Sequence, residues 1–181
     1  MKKLFIGILF ALALLFAPVC VSAAPIMFSM CGGAGFSVGI KHKAELDKLR
    51  QNVDNFVISL GCEPTKRDEI VGKFNNYTAD HPMGQGRPSA EWLQGVGKAV
   101  GADYVTLYYP EISGIQSGNF FHTSARMNIS TDMRIVNTAN GETIFTCVAP
   151  EIEGKRDKVL DSADALITKA EADIKKQGIK F

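Results

Sequence analysis

Polar and apolar residues alternate strictly between Arg126 and Arg134, and this pattern constrains the fold more than any other feature of the sequence. One set of alternate side chains is mostly apolar and comprises Met127, Ile129, Thr131 and Met133. The other set is polar and comprises Arg126, Asn128, Ser130, Asp132 and Arg134. Successive side chains of a strand point to opposite faces of its sheet, so the pattern predicts a strand with one buried face and one face in water.

The dipeptide Asn140-Gly141 follows this strand and predicts a tight hairpin, because both residues tolerate the positive φ angles that short hairpin turns need. The hairpin leads into a strand over 143–148, and the alternating segment from Tyr104 to Tyr109 supplies another. Together these segments predict an antiparallel three-strand meander in the second half of the chain.

The first half has a helical period, with apolar residues at steps of three and four. The clearest helix carries one apolar face, formed by Leu46, Leu49, Val53, Phe56, Val57 and Leu60, and Gly61 is placed to end it. Further helices are predicted over 66–74, from an N-cap at Ser89 to Gly101, and from about Lys155 onward. Strands are predicted over 36–40 and 62–65, and breakers predict a loop over 75–87.

Amphipathic helices and a half-buried meander can bury their apolar surfaces against each other. We therefore expect an α/β (α+β) fold, a two-layer sandwich whose mixed sheet contains the meander and whose helices pack on one face. The length suits one domain with a single sizeable core, without linker or repeat.

The N-terminus has the pattern of a secretion signal: Lys2-Lys3, an apolar run over 4–16, and small residues around Ala23-Ala24. We expect a signal peptide over 1–23, cleaved after Ala23, and a single domain over 24–181 that is located in the periplasm or secreted. Retention as a membrane anchor and lipidation at Cys20 are the alternatives. The residues before Cys20, Ala-Pro-Val, lack the leucine and the small final residue that lipoprotein processing prefers.

Charge argues against a nucleic-acid partner. Without Lys2 and Lys3 the chain carries 18 basic and 19 acidic residues, a net charge of −1, and no basic stripe stands out. A protein that binds nucleic acid needs a concentrated positive field to neutralise phosphates. We also expect no membrane insertion once the signal is removed.

Three cysteines follow the signal, so at most one disulfide can form within the chain. Cys62 and Cys147 are the candidate pair, since both fall in predicted strands. The alternative, which we favour, is three unpaired thiols, Cys31 among them.

No catalytic or metal-binding constellation stands out, and no cofactor is expected. The segment 35–39 matches the G-x-S-x-G pattern around Ser37, but the helix that a nucleophile elbow requires directly after the serine is absent from the pattern. A small secreted serine hydrolase using Ser37 is one alternative function. A periplasmic small-ligand or metal binder using Asp80-His81 is another, although the histidines are scattered without metal-ligand spacing.

The polar face of the meander is the candidate surface for a partner. Tyr104 and Tyr108 are expected on it together with Arg126 and Arg134, and Tyr and Arg often anchor protein contacts. An ordinary solvated sheet face is an equally good interpretation.

Several segments, most of them in the second half of the chain, resemble a known periplasmic superfamily. Gly97 to Val105 matches its helix-to-strand junction, the segments 132–137 and 140–144 match its hairpin, and 66–70 matches a segment after its first helix. The superfamily comprises curli-secretion channel subunits (CsgG-like), penicillin-binding-protein activators (LpoB-like) and TolB amino-terminal domains. The similarity covers roughly 36–172, and its motifs are structural rather than catalytic.

The resemblance, the signal and the lack of catalytic motifs lead to one expectation. The chain is predicted to be an exported periplasmic, non-enzymatic binding or adaptor protein of the cell envelope that docks another envelope protein. The resemblance does not imply a pore here, because the chain has no room for long inserted hairpins.

Overall fold

The computed structural model describes residues 23–32, 43–84, 86–116, 126–154 and 158–181. The elements follow in the order β1 (Ile26–Cys31), α1 (Lys43–Ser59), β2 (Glu63–Pro64), α2 (Arg67–Asp80), α3 (Ala90–Val100), β3 (Tyr104–Gln116), β4 (Arg126–Asn137), β5 (Thr143–Val148), β6 (Ile152–Gly154) and α4 (Lys158–Gln177). The strand predicted over 36–40 lies outside the described residues. The first described strand, β1, precedes it, and the short β6 is an addition.

The strands form one mixed sheet in the order β2-β1-β3-β4-β5, with β6 paired to β4. β1 runs parallel to both of its neighbours, whereas β3, β4 and β5 form the predicted antiparallel meander. This confirms the mixed α/β class and the meander within it.

Helices cover both faces of the sheet, so the sandwich has one layer more than the sequence predicts. On one face α1 and α4 pack over alternate sheet residues, with Phe56, Tyr108, Met133 and Leu166 fully or almost fully buried. On the other face α2 and α3 pack over the intervening residues, including Val105 and Leu107. The two cores share strands but no side chains, because neighbouring residues of a strand point in opposite directions.

The helix α2 is longer than its pattern predicts. It continues through Asn75-Asn76 to Asp80, where the sequence indicates a loop. Tyr77, in this extension, packs edge-on against Trp92 of α3 with ring centroids 6.1 Å apart. Packing against α3 therefore stabilises a turn that local propensity disfavours.

The caps of α3 and the hairpin turn are confirmed. The Ser89 side chain accepts a hydrogen bond from the backbone N–H of Trp92, and Gly101 ends the helix with φ at 79°. In the hairpin, Gly141 takes a φ of 76°, whereas Asn140 does not take the positive φ that the tight turn was expected to need. The side chain of Asn140 accepts a hydrogen bond from the backbone N–H of Glu142. These features could be predicted from the sequence because each depends on contacts within a few residues.

Candidate partner-binding surface

The face of the meander on which α2 and α3 pack carries a group of charged and aromatic residues near the middle of β3 and β4. The register pairs Tyr109 with Asp132 and Leu107 with Arg134, so Tyr109, Asp132 and Arg134 share one face of the sheet. Glu111, two residues beyond Tyr109, lies on the same face. Together with Arg87, these residues and Val148 form what we call the Arg87–Asp132 face.

Arg87 comes from the connection between α2 and α3 and spans both strands. Its Nη2 atom lies 2.9 Å from Oδ1 of Asp132 and 3.5 Å from Oε2 of Glu111. Oδ1 of Asp132 has no aligned hydrogen-bond donor in the described part of the chain, so the shorter contact is an ion pair without a hydrogen bond. The guanidinium carbon also lies 5.4 Å from the centre of the Tyr109 ring, within cation–π range.

Asp132 is the buried member of this group, with 7 % of its surface exposed. Desolvation raises the pKa of its carboxyl above the ordinary value, and the positive charges of Arg87 and Arg134 oppose that rise. The wet face that the alternating pattern predicts is therefore partly covered at this point. The residues over 86–89 cover it, and Arg134 donates a hydrogen bond to the carbonyl of Pro88 at 3.4 Å.

An exposed apolar side chain borders the charged group. Val148 of β5 pairs with Asp132 in the sheet and is 57 % exposed. A partly exposed arginine, an aromatic ring and an open apolar residue are typical components of a protein-binding surface.

The four residues predicted for this surface do not share one face, which corrects the sequence-based expectation. Tyr108 is fully buried on the opposite face, and its hydroxyl has no hydrogen-bond partner in the described structure. Tyr104 also lies on that face, where its ring meets Phe181 edge-on at 5.2 Å. Arg134 lies on the predicted face, and Arg126 begins β4, paired with Gln116.

The reason for the error is the register of β3. The alternation within 104–109 separates odd from even residues but does not say which set faces the helices α1 and α4. The sequence pattern also did not predict the group formed by Arg87, Tyr109, Glu111 and Asp132. Arg87 lies in a loop and contacts the other residues only in the folded structure.

Cys62 and Cys147, the candidate disulfide pair, are free thiols in the structure, as is Cys31. Cys62 immediately precedes β2 at one edge of the sheet, whereas Cys147 lies in β5 at the other edge. Strands are about 4.8 Å apart, so four strand spacings separate these edges by far more than the roughly 7 Å that a disulfide allows between Cα atoms.

Cys147 instead belongs to a polar contact with α4 that the sequence did not indicate. Nζ of Lys169 donates hydrogen bonds to Sγ of Cys147 at 3.3 Å and to Oδ2 of Asp173 at 2.8 Å. Desolvation raises the pKa of the Cys147 thiol, and the hydrogen bond from Lys169 opposes that rise. The thiol therefore remains protonated at neutral pH and is a poor nucleophile.

The alternative sites receive no support from the described residues. His81 caps α2, with Nδ1 3.2 Å from the carbonyl oxygen of Tyr77 and its ring stacked on that tyrosine. The carbonyl of His81 accepts a hydrogen bond from the indole of Trp92. Within the described ranges no three His, Cys, Asp or Glu side chains group in a way that could hold a metal ion. Ser37 lies outside the described residues.

No helix in the described part of the chain is both long and apolar enough to cross a membrane. No protein-family model matches the sequence, and no curated protein matches it either.

Comparison of the fold finds similar solved structures at low identity. The LpoB C-terminal domain from Salmonella enterica is similar at 13 % identity over 79 % of this chain and 91 % of that chain, with a TM-score of 0.38. A PelC dodecamer from Paraburkholderia phytofirmans is similar at 12 % identity over 81 % and 83 %, with a TM-score of 0.39. Lipoprotein GNA1162 from Neisseria meningitidis is similar at 12 % identity over 85 % and 99 %, with a TM-score of 0.43.

An LpoB domain thus occurs among the structural neighbours, as the sequence resemblance led us to expect. The resemblance to curli-secretion subunits and to TolB amino-terminal domains stays a prediction. Likeness at these TM-scores assigns neither a family nor a function to this chain.

Proposed function

We propose that this chain is an exported, non-enzymatic adaptor of the cell envelope that docks another envelope protein through the Arg87–Asp132 face. The observation that carries the proposal is the ion-pair group of Arg87 with Asp132 and Glu111, bordered by Tyr109 and the exposed Val148. The signal-like N-terminus supports the location.

The chemistry of this face favours a protein partner over a small molecule. Its groups are spread along three strands and a loop rather than converging in an enclosed cavity, as ligand sites usually require. Glu111, with 63 % of its side chain exposed, adds a negative rim beside the arginine. A partner that supplies a cation to Glu111 and an apolar side chain to Val148 would complement this face.

Site-specific photo-cross-linking tests the docking surface. A photoreactive phenylalanine analogue at Val148 should give a covalent adduct of one defined mass in intact cells, and the second change Glu111→Arg should abolish it. The same analogue at the exposed Lys175 of α4 is the matched control and should give no such adduct. Identical adducts from both positions, or an adduct indifferent to Glu111→Arg, would contradict the proposal.

The export part has its own test. N-terminal sequencing of the protein recovered from cells should find Ala24 first. A start at Met1 would mean a retained anchor, and a blocked start at Cys20 would mean a lipoprotein.

A further inference from the structure

The edge of the sheet beside β2 is left open along most of β1. β2 pairs only with Ile26 and Met27, and the ladder ends with the hydrogen bond from the N–H of Thr65 to the carbonyl of Met27. The chain then turns away into α2. β1 continues to Cys31 without a neighbour on this side among the described residues.

The backbone groups on this open edge can be identified from the ladder. The carbonyls of Pro25 and Met27 accept bonds from the β2 side, whereas Ile26 bonds toward β3. Alternate residues of a strand direct their N–H and C=O groups to the same side. The N–H and C=O of Ser29 therefore face the open edge, and no backbone hydrogen bond joins them to a described residue there.

A groove of about 220 Å³ runs along this edge, between α1 and α2. One wall is polar, with Arg50 and Asp54 from α1 and Arg67 at the start of α2.

The other wall is apolar. It is lined by Phe28 of β1 and by Ile70, Val71 and Phe74 of α2. Val71 is 53 % exposed although it faces this groove. The unpaired part of β1 therefore lies between a polar wall and an apolar wall of the groove.

Two polar atoms in the groove are buried without a hydrogen-bond partner among the described residues: Oγ of Ser29 and Nε of Arg50. Buried polar groups are almost always hydrogen-bonded in folded proteins, and leaving such a group without a partner is unfavourable. With the unpaired backbone of Ser29, they form a set of donors and acceptors that a bound chain could satisfy.

We propose that this groove is a docking site for an extended peptide segment of a partner, which adds to the sheet beside β1 and alternates acidic with apolar side chains. Its backbone pairs with Ser29, its carboxylates face Arg67 and Arg50, and its apolar side chains contact Val71 and Phe74. Strand addition to an open edge is a common mode of peptide recognition, in which the backbone supplies affinity and alternate side chains supply specificity.

Size and charge favour this occupant over a small enclosed ligand. The groove is smaller than the roughly 300–1,000 Å³ of typical small-molecule pockets, and it is open at the surface. Arg67 is exposed and forms no ion pair with a described carboxylate, so it is available to an incoming one. Asp54 on the same wall disfavours a segment with several adjacent carboxylates and favours one at alternate positions.

The test uses the purified protein and the fluorescein-labelled peptide Val-Glu-Val-Glu-Val-Glu. Fluorescence anisotropy should show saturable binding. Arg67→Gln should weaken it at least about tenfold, as expected for loss of a charge-assisted hydrogen bond, and Val71→Glu should weaken it similarly. Lys73→Gln, on α2 but outside the groove, is the matched control and should leave affinity unchanged. A peptide with lysine in place of glutamate should also bind about tenfold more weakly.

Amide hydrogen exchange locates the peptide. The N–H of Ser29 should exchange rapidly in the free protein and become protected when the peptide is added. Absence of saturable binding, equal binding by the Arg67→Gln and Val71→Glu variants, or a Ser29 amide already protected in the free protein would each overturn the proposal. Since this groove and the Arg87–Asp132 face have no residue in common, either proposal can fail without the other.

Discussion

Gly97 in α3 touches the sheet so closely that no side chain fits at its position. A Cβ atom there would lie 2.3 Å from Oγ1 of Thr138 and 2.8 Å from a methyl carbon of Val105, both in buried residues. Glycine lets the helix approach the strands at this point, which explains a residue that otherwise weakens helices.

We expect Gly97→Ala to lower the free energy of unfolding by about 1–3 kcal/mol, because the added methyl group overpacks the interface. Gly72→Ala is the matched control. Gly72 is exposed in α2 with nothing near its Cβ position, so alanine there should stabilise by about 0.5–1 kcal/mol. Urea unfolding of both variants measures the difference, and two equal effects would contradict this account.

Asp132 should make stability depend on pH in the acid range. Because desolvation raises its pKa in the folded protein above 3.8, the folded state keeps the proton to higher pH than the unfolded chain. The contribution of this group to the free energy of unfolding therefore falls as pH rises from its pKa in the unfolded chain to its higher pKa in the folded protein.

Asp132→Asn should remove that decline, and urea unfolding from about pH 4 to about pH 7 would measure it. If Asp132→Asn retained the wild-type slope, desolvation of this carboxyl would not be its source.

At the scale of elements, α3 depends on its N-cap. The hydroxyl of Ser89 satisfies the N–H of Trp92 at 3.1 Å, a group that has no partner within the helix. Ser89→Ala should cost about 1 kcal/mol of unfolding free energy, whereas Ser89→Asp should restore most of it because its carboxylate can accept the same bond. Chemical denaturation of the two variants would test this, and a failure of aspartate to rescue would assign the loss to another contact.

Elements defined by local signals could be predicted from the sequence, and those defined by distant contacts could not. The apolar stripe of α1, the caps of α3 and the turn at Gly141 each lie within one segment. The end of α2 depends on Tyr77 meeting Trp92, and β6 has only three residues, paired to β4. The alternating pattern predicted the polar side chains of β4 that belong to the candidate site. It did not predict that Arg87, from a loop, pairs with Asp132.

At the scale of the molecule, the sheet order separates the cysteines and predicts their chemical state. The chain from Ala24 onward contains Cys31, Cys62 and Cys147, and all three are free. Maleimide treatment of the denatured, unreduced protein should therefore add three labels, read by mass spectrometry. A single label would mean that two of the thiols had paired.

The pairing of β1 with β3 has a consequence for how the chain acquires its structure. The backbone N–H of Ile26 bonds the carboxylate of Asp103, a separation of 77 residues, and Met27 to Cys31 pair with 104–108. A chain that emerges from its N-terminus thus exposes β1 long before its principal neighbour exists, and loop closure of that length is slow. The sheet can therefore be completed only after more than half of the chain has emerged.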